Sequence, residues 1–341
     1  MPGHAAAQDA SMQPESTWRP AAALDVLKLR ARMLAKIRDF FSQRNVLEVD
    51  TPALSHAATP EPALTSFATR YKGPLYPHGL QLYLHTSPEF AMKRLLAAGC
   101  GSIYQICKVF RDGESGRLHN PEFTLLEWYR CGFDHLALMD EVEALVRTLL
   151  ADKLPLAQTE RISFRDAFQH YAGLDPHTAT PGQFAKAAVA HRIHAPASLD
   201  NKGDVDIWRD LLLTHVIEPR LGRGRLCFLY DYPASQASLA RVRPGNPPVA
   251  ERFELYLEGI ELANGFHELT DAQEQRSRFT QQLNARCLSG QDVPLDENLL
   301  QALEQGLPDC AGVALGLDRL IMLAAGMTSV QETLAFPLDR A

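Results

Sequence analysis

The sequence predicts an α+β fold, a mostly antiparallel sheet flanked by helices. Strand-like apolar runs are joined by hairpin-length connections, and long amphipathic runs stand apart from them. With 46% apolar residues in 341, the chain can also bury a large core. No internal repeat is visible.

Composition narrows the function classes. No apolar run approaches the roughly 18 residues of a membrane span, so no membrane partner is expected. Met1 to Pro20 is rich in Ala, Gln, Ser and Pro, with no lysine or arginine before Arg19 and no apolar run of signal-peptide length. It reads as a loose tail (1–20) ahead of one domain (21–341), and the expected compartment is the cytoplasm. A net charge of −7 argues against a free-standing nucleic-acid binder, and the short basic runs Lys28 to Arg38 and Arg220 to Arg225 read as solvated faces. The six cysteines fit no CxxC or Cys/His pattern, so reduced, buried thiols are expected and neither a zinc site nor a disulfide scaffold is supported.

Along the chain, Leu27, Leu34, Ile37 and Phe41 recur at helical spacing, and Val46 to Pro52 alternates like a short strand ending at proline. Residues 56 to 80 read as turns and short strands, Leu82 to Leu84 as a strand, and Glu89 to Ala98 as a helix begun by Ser87-Pro88 and ended by Gly99. Ile103 to Phe110 and Glu122 to Trp128 are strands around a polar loop, and His135 to Leu150 is an amphipathic helix. Residues 151–225 are weakly patterned, with helices near 164–171 and 206–218, and read as a helical insertion. Strands follow at 226–230, 252–257, 261–263 and 312–316, with helices at 271–286 and 317–325.

Phe110-Arg111-Asp112-Gly113 places an arginine at the end of a strand, before a charged loop and a returning strand. A guanidinium there can grip two oxygens of a phosphate or carboxylate with its planar fork. Farther on, Glu261 and Glu268 bracket Asn264-Gly265, and a hairpin turn there would bring both carboxylates to one pocket. Paired carboxylates suit Mg²⁺, which takes oxygen ligands, so both are candidate ligands.

The string His119-Asn-Pro-Glu-Phe-Thr-Leu-Leu-Glu-Trp-Tyr129 resembles the second signature of the class II aminoacyl-tRNA synthetases, in the wording of the lysyl-type subgroup. The other two signatures follow in order: the helix 27–41 with the strand ending at Pro52, and Gly312-Val-Ala-Leu-Gly-Leu-Asp-Arg-Leu320. The resemblance covers residues 24 to 341 and implies the class II catalytic fold, an ATP-dependent ligase activity and a homodimer formed through the first signature. It further implies that Arg111 holds the α-phosphate and Arg319 the γ-phosphate of a bent ATP. Asp112, Gly113, Asn120, Glu261 and Leu262 would lie around the nucleotide, and Gly316 would permit close approach. Ser87, Pro88, Glu89, Tyr129, Glu268 and Ala314 map to the amino-acid side.

Within that family the core begins near Leu24, which leaves no room for the anticodon-gripping barrel of true lysyl enzymes. Pro233 to Leu239, Gly265 to Asp271 and Phe336 to Ala341 look like the stand-alone paralogs that join (R)-β-lysine to elongation factor P, for which no tRNA partner is expected. Ser87 and Ala314 stand where lysyl enzymes have alanine and glycine, a reshaped pocket for a shifted amino group. Two other readings remain: a truncated synthetase charging tRNA with lysine, and a non-catalytic regulatory relative. One departure is visible. The family has Arg-x-Glu after the strand, whereas Gly113 stands at the third position here and glutamate follows at Glu114.

Overall fold

Residues 18–196, 199, 204–288 and 292–341 are described in the computed structural model, so Met1 to Thr17 of the expected tail lie outside the described residues. Helix α1 (Leu24–Ser42) buries Val26, Leu29, Met33, Ile37 and Phe40, one stripe at three- and four-residue spacing. After it come β1 (Leu47–Glu48), β2 (Leu54–Ser55), β3 (Ala68–Gly73), β4 (Tyr76–Leu84) and helix α2 (Glu89–Ala97). Strands β5 (Ile103–Phe110) and β6 (Glu122–Cys131) form the hairpin around the charged loop, and α3 (His135–Leu150) follows with Asp134 capping its first turn.

Next are β7 (Glu160–Ser163), α4 (Phe164–Ala172), α5 (Pro181–Ala190) and α6 (Val205–Leu212). The last part of the chain holds β8 (Cys227–Pro233), β9 (Val242–Arg243), β10 (Val249–Leu257), β11 (Ile260–His267), α7 (Ala272–Leu288), α8 (Glu297–Gly306), β12 (Cys310–Gly316) and α9 (Leu317–Ala324).

The main sheet runs β1-β5-β6-β12-β11-β10-β8-β7, with β9 on β10, while β2-β4-β3 forms a separate small sheet. All main-sheet neighbours are antiparallel except β1–β5 and β7–β8. Side chains alternate across it. Leu126, Trp128, Phe253, Leu255, Val313 and Leu315 face the back, where they form one core with α1, α3 and α9. The opposite face carries Glu127, Tyr129, Arg252, Asn264 and Ala314, and that face floors the cavity described below.

Two readings change here. The stretch 151–225 is not helical throughout, because β7 pairs with β8 at the sheet's edge. Phe164, Phe168, Phe184 and Trp208 of its helices pack on Leu229 and Tyr256 of the sheet in a second core. Helices α5 and α8 were not expected, although α5 begins with a Thr180/Gln183 capping box that is legible in sequence.

Candidate active site

A cavity of about 910 Å³ opens over the front of the sheet, lined by β6, β11 and β12 below and by α2 and the 111–119 loop around its rim. Arg111, Asn120, Glu261, Leu262, Gly316 and Arg319 line it, and so do Ser87, Pro88, Glu89, Tyr129, Glu268 and Ala314. Asp112 and Gly113 do not. The backbone amide of Asp112 donates to the Thr65 carbonyl at 2.8 Å, which turns that residue away.

At one end stand the two arginines. Arg111 N–H continues the β5–β6 ladder to the Pro121 carbonyl at 2.9 Å, so the hairpin fixes where the side chain starts. Its guanidinium lies 5.0 Å from the centre of the Phe123 ring and 3.6 Å from Glu114. Glu114 therefore reaches the guanidinium from one place later than the family spacing. Gly113 sits at φ +82°, a left-handed conformation that glycine adopts without strain, and it makes the extra turn.

Arg319 projects from the first turn of α9. It donates to the Glu261 carbonyl at 2.8 Å and lies 3.4 Å from the Glu261 carboxylate. Its other amino group meets His119 Nε2 at 2.9 Å, so that nitrogen is the acceptor; burial, then Arg319, lowers the His119 pKa. The preceding residue anchors the helix, since Asp318 accepts from the Thr124 amide at 2.7 Å and pairs with Arg30 of α1.

At the other end is a buried carboxylate cluster. Ser87 Oγ donates to Glu127 at 2.7 Å, and Tyr129 donates to the other Glu127 oxygen at 2.8 Å. Lys93, one helical turn after Glu89 on α2, is 2% exposed and bridges Glu89 and Glu268 at 2.6 Å each. Burial works against its charge, but Glu268 and Glu89 outweigh it and hold its pKa above the ordinary value. Burial, reinforced by Glu89, pushes Glu127 up to about 8, despite the donations from Ser87 and Tyr129. Burial likewise takes Glu268 up to about 7, with Lys93 pulling the other way.

The expected hairpin at Asn264–Gly265 is absent, because both residues sit inside β11. Glu261 and Glu268 reach the same face for another reason. The β10–β11 register shifts by one residue beside Leu262, and that bulge reverses the alternation for Glu261. The two carboxylates stand at opposite ends of the strand, roughly 20 Å apart along it at the usual rise per residue, so they do not make one metal pair. Glu261 instead has Glu254 and Glu218 as acidic neighbours. Burial, then Glu254 and Glu261, raises Glu218 to about 7, and burial with Glu254 raises Glu261.

Sequence reasoning missed Lys93, Glu127, Phe123, Gly312 and Arg252, all of which shape this site. Lys93 had a signal, its i+4 spacing from Glu89. Arg252 had none, since its reach to Asn264, Glu254 and the Gln236 carbonyl joins separate segments.

A sheet of this order with an arginine hairpin on one side and an arginine helix on the other defines a class II synthetase catalytic site. The chain belongs to that family: residues 16–340 match the model for tRNA synthetases class II (D, K and N). It is 49% identical over 331 residues to the elongation factor P–(R)-β-lysine ligase of Klebsiella pneumoniae, covering 97% of this chain and 100% of that protein. The ligase of the same name from Salmonella dublin matches with the same identity and coverage. The chain is accordingly an ATP-dependent ligase of the class II type.

Proposed function

We propose that this chain activates (R)-β-lysine with ATP and transfers it to a lysine amine of elongation factor P. The observation that carries this reading is full-length similarity to ligases of that name, at 49% identity, in a cavity with arginines at one end and buried carboxylates at the other. In the first step the β-lysine carboxylate oxygen attacks the α-phosphorus, forming the adenylate and releasing pyrophosphate. In the second the acceptor amine attacks the acyl carbon, forming the amide, releasing AMP and giving up a proton.

Arg111 and Arg319 suit the phosphates, because charge building on phosphate oxygens is best met by fixed donors. Phe123 offers an aromatic face to the base, and Asn120, Leu262 and Gly316 complete that end. Glu218, Glu254 and Glu261 crowd negative charge into one corner of the cavity, and this fits a Mg²⁺ ion held chiefly by Glu261, whose carboxylate is partly exposed. Such an ion would neutralise phosphate charge. Glu89, Glu127 and Glu268 against the single Lys93 leave excess negative charge for substrate ammonium groups, with Ser87 and Tyr129 fixing Glu127. We further propose cytoplasmic residence and a homodimer formed through α1 and β1; sedimentation at micromolar concentration checks the latter. No described helix is long and apolar enough to cross a membrane.

The deciding assay compares pyrophosphate exchange with (R)-β-lysine and α-lysine, then supplies elongation factor P or tRNA as acceptor. Label on tRNA and none on the factor would sink the proposal.

Three smaller effects are expected. Glu114→Ala should raise the ATP KM several-fold with kcat little changed; an unaltered KM would remove Glu114 from the nucleotide site. Ala314 lies between Asn264 and Glu127 on the strands either side of it. Ala314→Gly should therefore narrow the preference for β-lysine over α-lysine by about 10-fold, the worth of one methyl group in a pocket. The third effect is pH dependence. Burial pushes the Glu127 and Glu268 carboxyls up to about 8 and about 7, above the ordinary value of 4.5. Because the folded values are raised, their contribution to stability is full below pH 4.5 and is lost as pH rises towards 8. Substrate ammonium needs the ionised forms, so the β-lysine KM should fall as pH rises from 6 to 8; a flat profile would exclude these groups from amine binding.

A further inference from the structure

Behind the sheet, on the face away from the cavity, two histidines and two carboxylates converge. His135, the first residue of α3, is 2% exposed, and neither of its ring nitrogens has a hydrogen-bond partner among the described residues. Its Nε2 lies 3.7 Å from Asp231 Oδ1 of β8, a buried oxygen that also lacks a partner. One donor atom each from His135, Glu251 of β10 and His267 of β11 lies within 4.8 Å of the others.

His267 is bounded by carboxylates on both sides. Its Nδ1 is 2.6 Å from Glu251 and its Nε2 is 3.0 Å from Asp309. A neutral imidazole has one N–H and can satisfy only one of them. If Nε2 donates to Asp309, Nδ1 presents a lone pair towards Glu251, and a cation between them resolves the conflict. A carboxylate orienting a histidine through its far nitrogen is also the usual outer support of a metal ligand.

We propose that His135, Glu251 and His267, with Asp231 alongside, bind one divalent transition-metal ion of the zinc type in a structural role. Imidazole nitrogens with carboxylate oxygens are its ordinary donors, and bonds of about 2.0–2.2 Å require side-chain rotation that parts His267 from Glu251, now 2.6 Å away, and brings His135 closer. Arg243 occupies the neighbourhood, pairing with Asp231 at 2.6 Å and Glu251 at 3.2 Å. Its side chain is 41% exposed, so it can withdraw to solvent when a metal takes over the negative charge. The ion would pin α3 to β8, β10 and β11. On their other face the same strands carry Arg252, Glu254 and Phe266, with Glu268 just beyond β11.

The test uses the full chain without nucleotide, stripped with chelator and dialysed against Zn²⁺ or Co²⁺. One equivalent of metal is expected, with the intense visible bands of four-coordinate cobalt. Glu251→Gln keeps the side-chain size and should weaken binding at least tenfold, as should His135→Ala. Arg243→Ala removes the competing cation and should tighten it. The proposal is overturned by an absence of stoichiometric binding to the unaltered chain. It is overturned equally by an affinity that Glu251→Gln leaves unchanged.

Discussion

Arg319→Ala should lower the rate of adenylate formation by about 100- to 1,000-fold, the usual cost of removing one fixed donor from developing charge. The side chain is already held in place before nucleotide arrives, with bonds to the Glu261 carbonyl and the Leu118 carbonyl. Its helix is tied to β6 and α1 through Asp318. The fold should survive the change, because the truncated group is at the cavity wall and not in the core. Pyrophosphate exchange reads the effect directly, with unchanged thermal unfolding as the control. Arg319→Lys should restore little, because a point charge cannot reproduce the planar fork. Wild-type exchange in Arg319→Ala would remove it from the nucleotide site.

The second large effect is expected from Gly312→Ala. Gly312 lies opposite Tyr129 in the β6–β12 register. A methyl group built there would come within 2.3 Å of the Tyr129 ring and 2.5 Å of Glu268. Both neighbours are buried, with Tyr129 bonded to Glu127 and Glu268 to Lys93, so neither can yield without disturbing the cluster. Overpacking of this kind costs about 1–3 kcal/mol. If it falls on the bound amino acid, exchange dependent on β-lysine should drop by about 10- to 100-fold at one decade per 1.36 kcal/mol. ATP affinity should be unaffected, since the phosphate end is distant along the strand. A variant with normal β-lysine KM and kcat would show that the pocket lies elsewhere. Gly312 thus marks a position where only the absence of a side chain leaves room for the Tyr129 ring.

Much of this architecture was legible because strand and helix periodicities are local. The stripe of α1, the β5–β6 hairpin, α3 and the β12–α9 junction follow from residue spacing over ten to twenty positions. Arg111 was legible at the end of a strand, whereas Arg319 was legible only through the resemblance of Gly312 to Leu320 to the family's third signature. Where reading failed, the deciding contact was long-range or irregular. Asn264-Gly265 carries a strong turn signal, yet β10 and β12 flank it on both sides, and ladder pairing overrides the local preference. The small sheet of β2, β3 and β4 was only partly seen because its strands are largely exposed and lack apolar alternation.

The sequence by itself determined the class of fold and the family, and it named arginines and glutamates that the structure brings to one cavity. It could do so because those features are written as local patterns with fixed spacing. Tertiary structure alone decided how they combine. The bulge beside Leu262 turned Glu261 onto the cavity face, Lys93 was inserted between Glu89 and Glu268, and Glu261 was separated from Glu268 along one strand. The cluster of His135, Glu251 and His267 likewise exists only after β10 and β11 pair and α3 closes over the back of the sheet. Burial raises the Glu127, Glu268 and Glu218 carboxyls, and burial is a property of the assembled fold, not of any segment read alone.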